Sequence, residues 1–214
     1  MKSIKNTLNT GQIEMKGYPD SSGVISFQAI AKKITIDWGD GNVDEFTPNG
    51  VERTYTYEYR NSNFQTILLY TENLTFIGSI PSDSDMPPGS ECNTINPSYK
   101  YSELKFGDCP NLEHIKFPYN KLTVLDIKKA SVLNKLDCYV NSLTTLSING
   151  CKVLQTLNCY DNQLTTEKVN KIFESLPTIS TKPGFREGIS KSGNPGSFTC
   201  NRSIATNKGW DVYL

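Results

Sequence analysis

The chain has 214 residues, with 22 Lys and Arg against 22 Asp and Glu and one histidine, so its formal net charge is zero. This balance argues against a nucleic-acid binder, because such proteins carry a basic excess that pairs with phosphates. Hydrophobic residues make up 36% of the chain, which is enough for a core, and no stretch reaches the ~18 apolar residues of a membrane span. A single histidine excludes a multi-histidine metal site.

The first part of the chain, residues 1–72, is predicted to form a small antiparallel β-domain. Runs of alternating or β-rich residues, separated by Gly, Asp and Asn clusters, are typical of short strands joined by turns. The sequence IDWGDGN from Ile36 to Asn42 predicts a tight hairpin, because Gly and Asn accept the positive φ angles of such turns.

A calcium site is the alternative interpretation of this hairpin. Its oxygen-bearing side chains are Asp37, Asp40, Asn42 and Asp44. A calcium-loop register that starts at Asp40, however, places Glu45 where glycine belongs and Val51 at the twelfth position. A plain turn is therefore favoured, and we expect no metal and no cofactor.

From Leu104 onward the sequence repeats with a period of 21 residues. Many positions recur in three copies, which makes chance agreement implausible, and the shared pattern is L-x-x-L-x-C-x-x-N-x-L. The aligned sets include Leu112/Leu133/Leu154, Ile115/Leu136/Leu157, Phe117/Cys138/Cys159, Asn120/Asn141/Asn162 and Leu122/Leu143/Leu164.

In each copy, alternate residues of a short strand are expected to face a continuous core. Asn120, Asn141 and Asn162 are predicted to form a structural ladder, in which the side-chain amides bond backbone groups that the turns leave unpaired. Cysteines at the inward position should behave as small buried hydrophobes, and Cys92 and Cys200 are expected to be reduced.

Both ends of the repeats show departures from the pattern. Residues 74–79 match an earlier, degenerate copy, and the spacing implies an insertion at about 81–102 whose Pro, Ser and Asn content predicts a long loop. A cap over 165–214 should contain a helix that begins at Thr165 or Thr166 and stops before Pro177, followed by a shorter helix over 200–207. The apolar stripe of the first helix is Val169, Ile172, Phe173 and Leu176.

Two parts of the chain resemble known families. The sequence IDWGDG at 36–41, followed by TYTY at 54–57, resembles the signature of polycystic-kidney-disease (PKD) type β-sandwiches. The stretch from Thr71 to Thr166, with the later segments GNPGS and CNRSIATNKGW, is similar to the surface leucine-rich repeat proteins of gut anaerobic bacteria of the Bacteroides type.

This second resemblance implies a lipid-anchored or secreted protein, located outside the cell or at its surface. The first twenty residues lack the apolar region of a signal peptide, so any leader or lipid anchor is expected to lie outside this chain. We expect no transmembrane segment.

Together, these patterns predict an α+β, mostly β fold class. A short leucine-rich repeat solenoid of 21-residue repeats would be capped by an N-terminal antiparallel β-sandwich-like domain and by C-terminal helices. The domains would be residues 1–72 and 73–214, the second with the insertion at 81–102 and the cap at 165–214.

Outward side chains of such repeats would line up in columns on a concave face. One column is Ile80, Pro118, Tyr139 and Tyr160. Two tyrosines beside polar groups suit a peptide or a glycan, although a cross-strand stabilising pair on a solvated face is the alternative. Lys116 and Asp137 would be adjacent and could pair. The predicted ligand-binding residues are His114, Lys116, Lys135, Asp137, Tyr139, Asn158 and Tyr160.

The sequence therefore predicts a non-enzymatic binding module that recognises a protein or carbohydrate partner and no nucleic acid. The alternative is a structural component of a surface complex with no ligand of its own. An enzyme is not expected, because the common catalytic motifs are missing and the column neighbours predicted for His114, Phe76 and Lys135, do not serve as a nucleophile.

Overall fold

A computed structural model of the chain describes residues 11–19, 23–60, 63–79, 100–179 and 188–213. The strands in these residues are β1 (Gln12–Tyr18), β2 (Val24–Ile30), β3 (Lys33–Asp37), β4 (Val43–Phe46), β5 (Arg53–Glu58), β6 (Gln65–Glu72), β7 (Phe76–Gly78), β8 (Lys100–Phe106), β9 (His114–Lys116), β10 (Val124–Asp126), β11 (Lys135–Asp137), β12 (Thr145–Ser147), β13 (Thr156–Asn158), β14 (Gly188–Ser190) and β15 (Asp211–Tyr213). The helices are α1 (Thr166–Ser175) and α2 (Ser203–Thr206).

An antiparallel sheet of five strands has the order β4-β3-β6-β1-β8. The turn between β3 and β4 is the predicted hairpin, in which the Trp38 N–H donates to the Asn42 carbonyl at 3.1 Å. Gly39 and Gly41 adopt φ angles of 84° and 98° there, which residues with a Cβ rarely reach. The hairpin prediction is confirmed.

A second sheet of eight strands is mixed, with the order β15-β14-β13-β11-β9-β7-β2-β5. Strand β2 pairs antiparallel with β5 and β7, whereas every pairing from β7 to β15 is parallel. The 21-residue period sets the register: Lys135 lies opposite His114 on one side and Thr156 on the other. Strands β10 and β12 form a small parallel sheet of their own.

The predicted fold class, α+β with a short leucine-rich repeat solenoid between caps, is wrong. The described residues are mostly β, with 39% in strands and 8% in helices, and only two short helices are present among them. The physical reason is that the short parallel strands do not stack as a separate unit. They hydrogen-bond through β7 to β2 and so complete a sheet begun by the N-terminal strands, an arrangement consistent with a sandwich-like β fold.

One hydrophobic core runs through both parts of the chain. Tyr101 of β8 contacts Phe117 edge to face, with ring centroids 5.6 Å apart, and its hydroxyl donates to the Ser26 carbonyl at 3.0 Å. Inward residues of the repeats, such as Leu136, are fully buried, and each contributes about 1.5–3 kcal/mol by leaving water. The repeats and the N-terminal strands thus stabilise each other.

The predicted domain boundary near residue 72 stays a prediction, although strands on its two sides share both large sheets. Most of the predicted insertion at 81–102 lies outside the described residues, as do Ile80 and Cys92. Its last residues, 100–102, belong to strand β8 and not to a loop, because Lys100 and Tyr101 pair with β1.

Helix α1 begins and ends as the sequence predicts. The Thr165 hydroxyl accepts a hydrogen bond from the Lys168 N–H, and the helix stops before Pro177. Helix α2 is shorter than the predicted 200–207. No helix within the described ranges is both long and apolar enough to cross a membrane.

The cysteines at inward repeat positions are thiols of the core. Cys138 and Cys159 are buried in the core, as predicted, and burial raises the pKa of the Cys138 thiol well above its ordinary value. Cys200 is a half-buried free thiol.

Candidate functional site

Buried asparagines fix the turn that follows each parallel strand. The Asn141 side chain accepts from the Leu122 N–H at 3.0 Å and donates to the Phe117 and Cys138 carbonyls at 2.8 and 3.1 Å. Backbone groups left unpaired by a turn are costly when buried, so these amides replace the missing partners. Asn162 makes the corresponding bonds. Asn120 accepts from the Tyr101 N–H and donates to the Ser79 hydroxyl and the Pro118 carbonyl.

Asn194 is a fourth member of the same ladder that sequence reasoning missed. Its side chain accepts from the Leu164 N–H at 2.9 Å and donates to the Cys159 carbonyl at 2.9 Å. It stands 32 residues after Asn162 and not 21, so the fixed period does not reach it. The signal available in the sequence was the asparagine within the segment GNPGS.

The residue before each ladder asparagine has a left-handed backbone. The φ angles are 57° at Tyr119, 52° at Val140 and 51° at Asp161, and the corresponding residue of the last turn is Gly193, at 68°. This turn follows directly on the outward-pointing positions of Tyr139 and Tyr160. The local turn therefore sets where the two tyrosines lie.

The predicted ligand-binding residues do share one surface, on the outward side of β9, β11 and β13. We call this surface the tyrosine face; it consists of His114, Lys116, Tyr119, Lys135, Asp137, Tyr139, Asn158 and Tyr160. Tyr139 and Tyr160 stack with ring centroids 4.6 Å apart and planes 10° from parallel. This separation matches the spacing of neighbouring strands.

Tyr119 is a member of the tyrosine face that the sequence columns missed. Its ring meets Tyr139 edge to face, with centroids 5.4 Å apart. Pro118 occupies the column position of the tyrosines, so the aromatic residue of that turn comes one position later. The adjacent Tyr after Pro118 was the signal in the sequence.

The hydroxyls of the stacked tyrosines have no hydrogen-bond partner among the residues that the structure describes. In the part of the chain that the structure describes, neither Tyr139 nor Tyr160 donates or accepts a side-chain hydrogen bond. Burial, with the nearby Tyr119 and Asp161, raises the pKa of Tyr160 to about 12, and burial also raises the pKa of Tyr139. Both phenols are therefore neutral donors at physiological pH.

Asp137 lies at the centre of the face and is buried, with 4% of its surface exposed. Its Oδ2 atom lies 3.1 Å from His114 Nε2 and 3.4 Å from Lys135 Nζ, and its Oδ1 atom accepts from Asn158 Nδ2. The predicted pairing of Asp137 with Lys116 is wrong. Lys116 is directly opposite in register, but His114 and Lys135 reach the carboxylate and take its place.

The surroundings of Asp137 keep it ionised. Burial raises the pKa of its carboxyl, but hydrogen bonds from His114 and Asn158 and the charge of Lys135 lower it by more, so the pKa lies below its ordinary value. A buried carboxylate with several partners is a fixed anchor, and here it orients three neighbouring side chains. Lys116 has no ion-pair partner within the described ranges.

The other edge of the face is closed by Phe76. Its ring contacts His114, with centroids 5.2 Å apart, and only 9% of the residue is exposed. The ring lies beside Gly78, where an added Cβ would come within 2.7 Å of the Lys116 carbonyl oxygen. The open part of the face is therefore at the tyrosine end.

The face brings together groups of three kinds. Flat aromatic surfaces, neutral hydroxyl donors and a held carboxylate network are the groups that orient a bound ligand. Within the described residues, no three His, Cys, Asp or Glu side chains come together as a metal site. The hairpin carboxylates also bond locally: Asp37 accepts from the Gly39 N–H and Asp40 from the Asn42 N–H.

Comparison with known proteins identifies no relative. No protein-family model, curated protein or solved structure matches the chain.

Proposed function

We propose that this protein is a non-enzymatic binding module, secreted or displayed at the cell surface, that recognises a protein or carbohydrate partner on the tyrosine face. The observation that carries the proposal is the stacked pair Tyr139 and Tyr160, whose hydroxyls have no partner in the described part of the chain. A purely stabilising pair has no need of free hydroxyls. The location is supported by the resemblance of the sequence to bacterial surface proteins.

The arrangement around the tyrosines supports the same function. Asp137, His114 and Asn158 hold one another in place, so the polar part of the face is pre-organised before a partner arrives. Pre-organised side chains lose little entropy on binding. Tyrosine offers a large rigid surface with a polar tip, which is why it is frequent at binding surfaces.

The test is a glycan-array and pull-down screen of the folded protein, repeated with the double variant Tyr139→Ala/Tyr160→Ala. We expect affinity for any partner bound by the wild type to fall at least ~30-fold, the effect of removing a binding hot spot of about 2 kcal/mol. Tyr70→Ala is the matched control, because Tyr70 is an exposed tyrosine of the other large sheet. Unchanged binding by the double variant would contradict the proposal.

A further inference from the structure

The column of stacked tyrosines stops at the end of β13, although the sheet continues into β14 and β15. The Val140 N–H donates to the Tyr160 carbonyl at 3.0 Å, and the Asp161 N–H donates in the same way to the Ser192 carbonyl at 2.7 Å. Ser192 thus holds, beside Tyr160, the position that Tyr160 holds beside Tyr139. A small side chain stands where the repeat would place a third ring.

Among the described residues, this replacement leaves one ring face of Tyr160 without a stacked ring. The stack of Tyr139 and Tyr160 runs from strand to strand, because its 4.6 Å spacing equals the distance between strands. The second face of Tyr160 is therefore directed toward β14 and Ser192. Among the described residues, no other ring contacts Tyr160.

Polar groups flank this space above Ser192. Asp161 is exposed, and its carboxylate extends over Gly193, where an added Cβ would overlap one of its oxygens. No ion pair or side-chain hydrogen bond in the described ranges involves that carboxylate. The Tyr160 hydroxyl is also free to donate. The space beside Tyr160 thus has an aromatic wall and a hydrogen-bond acceptor at its side.

We propose that the space between Tyr160, Ser192 and Asp161 is a subsite for one neutral sugar ring of a carbohydrate ligand. This inference rests on the proposed binding function of the tyrosine face and names the ligand class. The C–H face of a pyranose is apolar and slightly positive, which complements the negative face of a tyrosine ring. Its hydroxyls would donate to Asp161, forming the stronger charge-assisted kind of hydrogen bond.

The carboxylate decides between possible ligands. An aromatic side chain of a peptide would stack equally well but would bring at most one donor to Asp161, a tyrosine hydroxyl or an indole N–H, whereas a pyranose carries several hydroxyls. A sugar acid would place a second negative charge beside it, and like charges repel at close range. A neutral sugar satisfies both the ring and the acceptor.

The experiment measures binding of neutral oligosaccharides of glucose, galactose, mannose or xylose, with oligogalacturonate as the charged counterpart. Saturation-transfer NMR should show contact through one C–H face of a terminal ring. We expect Ser192→Tyr, which fills the space with the missing ring, and Tyr160→Leu each to weaken neutral-sugar binding about tenfold or more. Tyr160→Phe keeps the stacking surface and should lose less.

Two further variants keep the test clear if Ser192→Tyr folds poorly. Asp161→Asn removes the charge while tolerating the left-handed backbone of that position, and it should weaken neutral-sugar binding severalfold. Ser131→Tyr adds the same ring at an exposed position outside the face and should change nothing.

The outcomes separate this inference from the proposed function. Sugar binding that is lost in Tyr139→Ala/Tyr160→Ala but kept in Ser192→Tyr and Asp161→Asn would overturn the subsite and leave the function standing. A protein partner captured through the tyrosine face, with no neutral sugar bound, would do the same. Equal affinity for oligogalacturonate would also overturn the subsite. Binding unaffected by the double alanine variant would overturn the proposed function itself.

Discussion

Two aromatic clusters in this protein have similar composition but use their polar atoms differently. In the hairpin cluster, Trp38 stacks on Tyr57 with centroids 4.7 Å apart and planes 17° from parallel. The Tyr57 hydroxyl donates to Asp40 at 2.8 Å and accepts from Asn42 at 2.6 Å, and the Tyr59 hydroxyl donates to the Trp38 carbonyl. These hydrogen bonds all join residues of the hairpin cluster to one another.

On the tyrosine face, Tyr139 and Tyr160 stack as closely, yet their hydroxyls have no partner in the part of the chain that the structure describes. The comparison teaches that a stacked aromatic pair is suited to binding where the fold leaves its hydrogen-bonding atoms unused. Where those atoms are satisfied internally, as around Trp38, the cluster serves stability. Each cluster should therefore respond to a different measurement.

Removal of the hairpin tryptophan should have the largest effect on stability. Trp38 is 1% exposed and its Nε1 atom donates to Asp44 at 2.8 Å, so Trp38→Ala is expected to lower the free energy of unfolding by about 3–5 kcal/mol. Tyr160→Ala should cost only about 1 kcal/mol, the value of an aromatic contact. Denaturant titration measures both, and an equal loss in the two variants would end the distinction between the clusters.

The asparagine ladder holds the turns next to the tyrosines in place. Loss of one of its asparagines should have the next largest effect on stability. Asn141→Ala leaves the Leu122 N–H and buried carbonyls without partners, so we expect a loss of about 2–3 kcal/mol in unfolding free energy together with weaker binding by the face. Asn134→Ala is the control, because Asn134 is exposed. A loss of the same size in both variants would show that the ladder bonds have no special role.

The sequence predicts the local parts of this fold because their causes are local. The 21-residue period places His114, Lys135 and Thr156 in one register, and the glycines after Trp38 specify a tight turn. The continuation of the repeats into the N-terminal strands was not predictable in this way. It depends on the pairing of β7 with β2. These two strands are distant in sequence, so no short-range pattern encodes their pairing.

Alignment of the repeats in columns does not predict contacts between residues of different columns, or turns that follow a longer spacing. The columns allow Asp137 to pair with its direct neighbour Lys116, whereas the side chains of His114 and Lys135 reach it along the sheet. Asn194 and Ser192 belong to the same turn family but follow a longer spacing, so a fixed period misses them. The stacking of Tyr139 on Tyr160 was predictable, because the two residues lie in register.

The buried carboxylate of Asp137 gives the face a dependence on acid. Because its folded pKa is below its unfolded value of about 3.9, the ionised group contributes stability above that value and loses the contribution as pH falls through the folded pKa. Asp137→Asn should therefore cost about 1–2 kcal/mol near pH 5 and less near pH 3. Denaturation of both proteins at the two pH values tests this, and a constant difference would contradict it.

The smallest expected effect concerns backbone strain beside the tyrosines. The hairpin has glycines at its positive φ angles. The turn that follows Tyr139 instead has Val140, at φ 52°, a conformation that β-branched residues rarely adopt. Asparagine tolerates this conformation, so Val140→Asn should raise the unfolding free energy by about 1 kcal/mol and leave ligand affinity unchanged.

The control for this variant is Val153→Asn, because Val153 is also a surface valine but is not among the residues with a positive φ. It should change stability by no more than about 0.5 kcal/mol. A destabilised Val140→Asn would mean that packing of the half-buried valine outweighs its strain. In that case side-chain contacts of Val140 hold the turn after Tyr139 together with the asparagine ladder. The tyrosine face would then contribute to stability as the hairpin cluster does, although the Tyr139 and Tyr160 hydroxyls have no partners among the described residues.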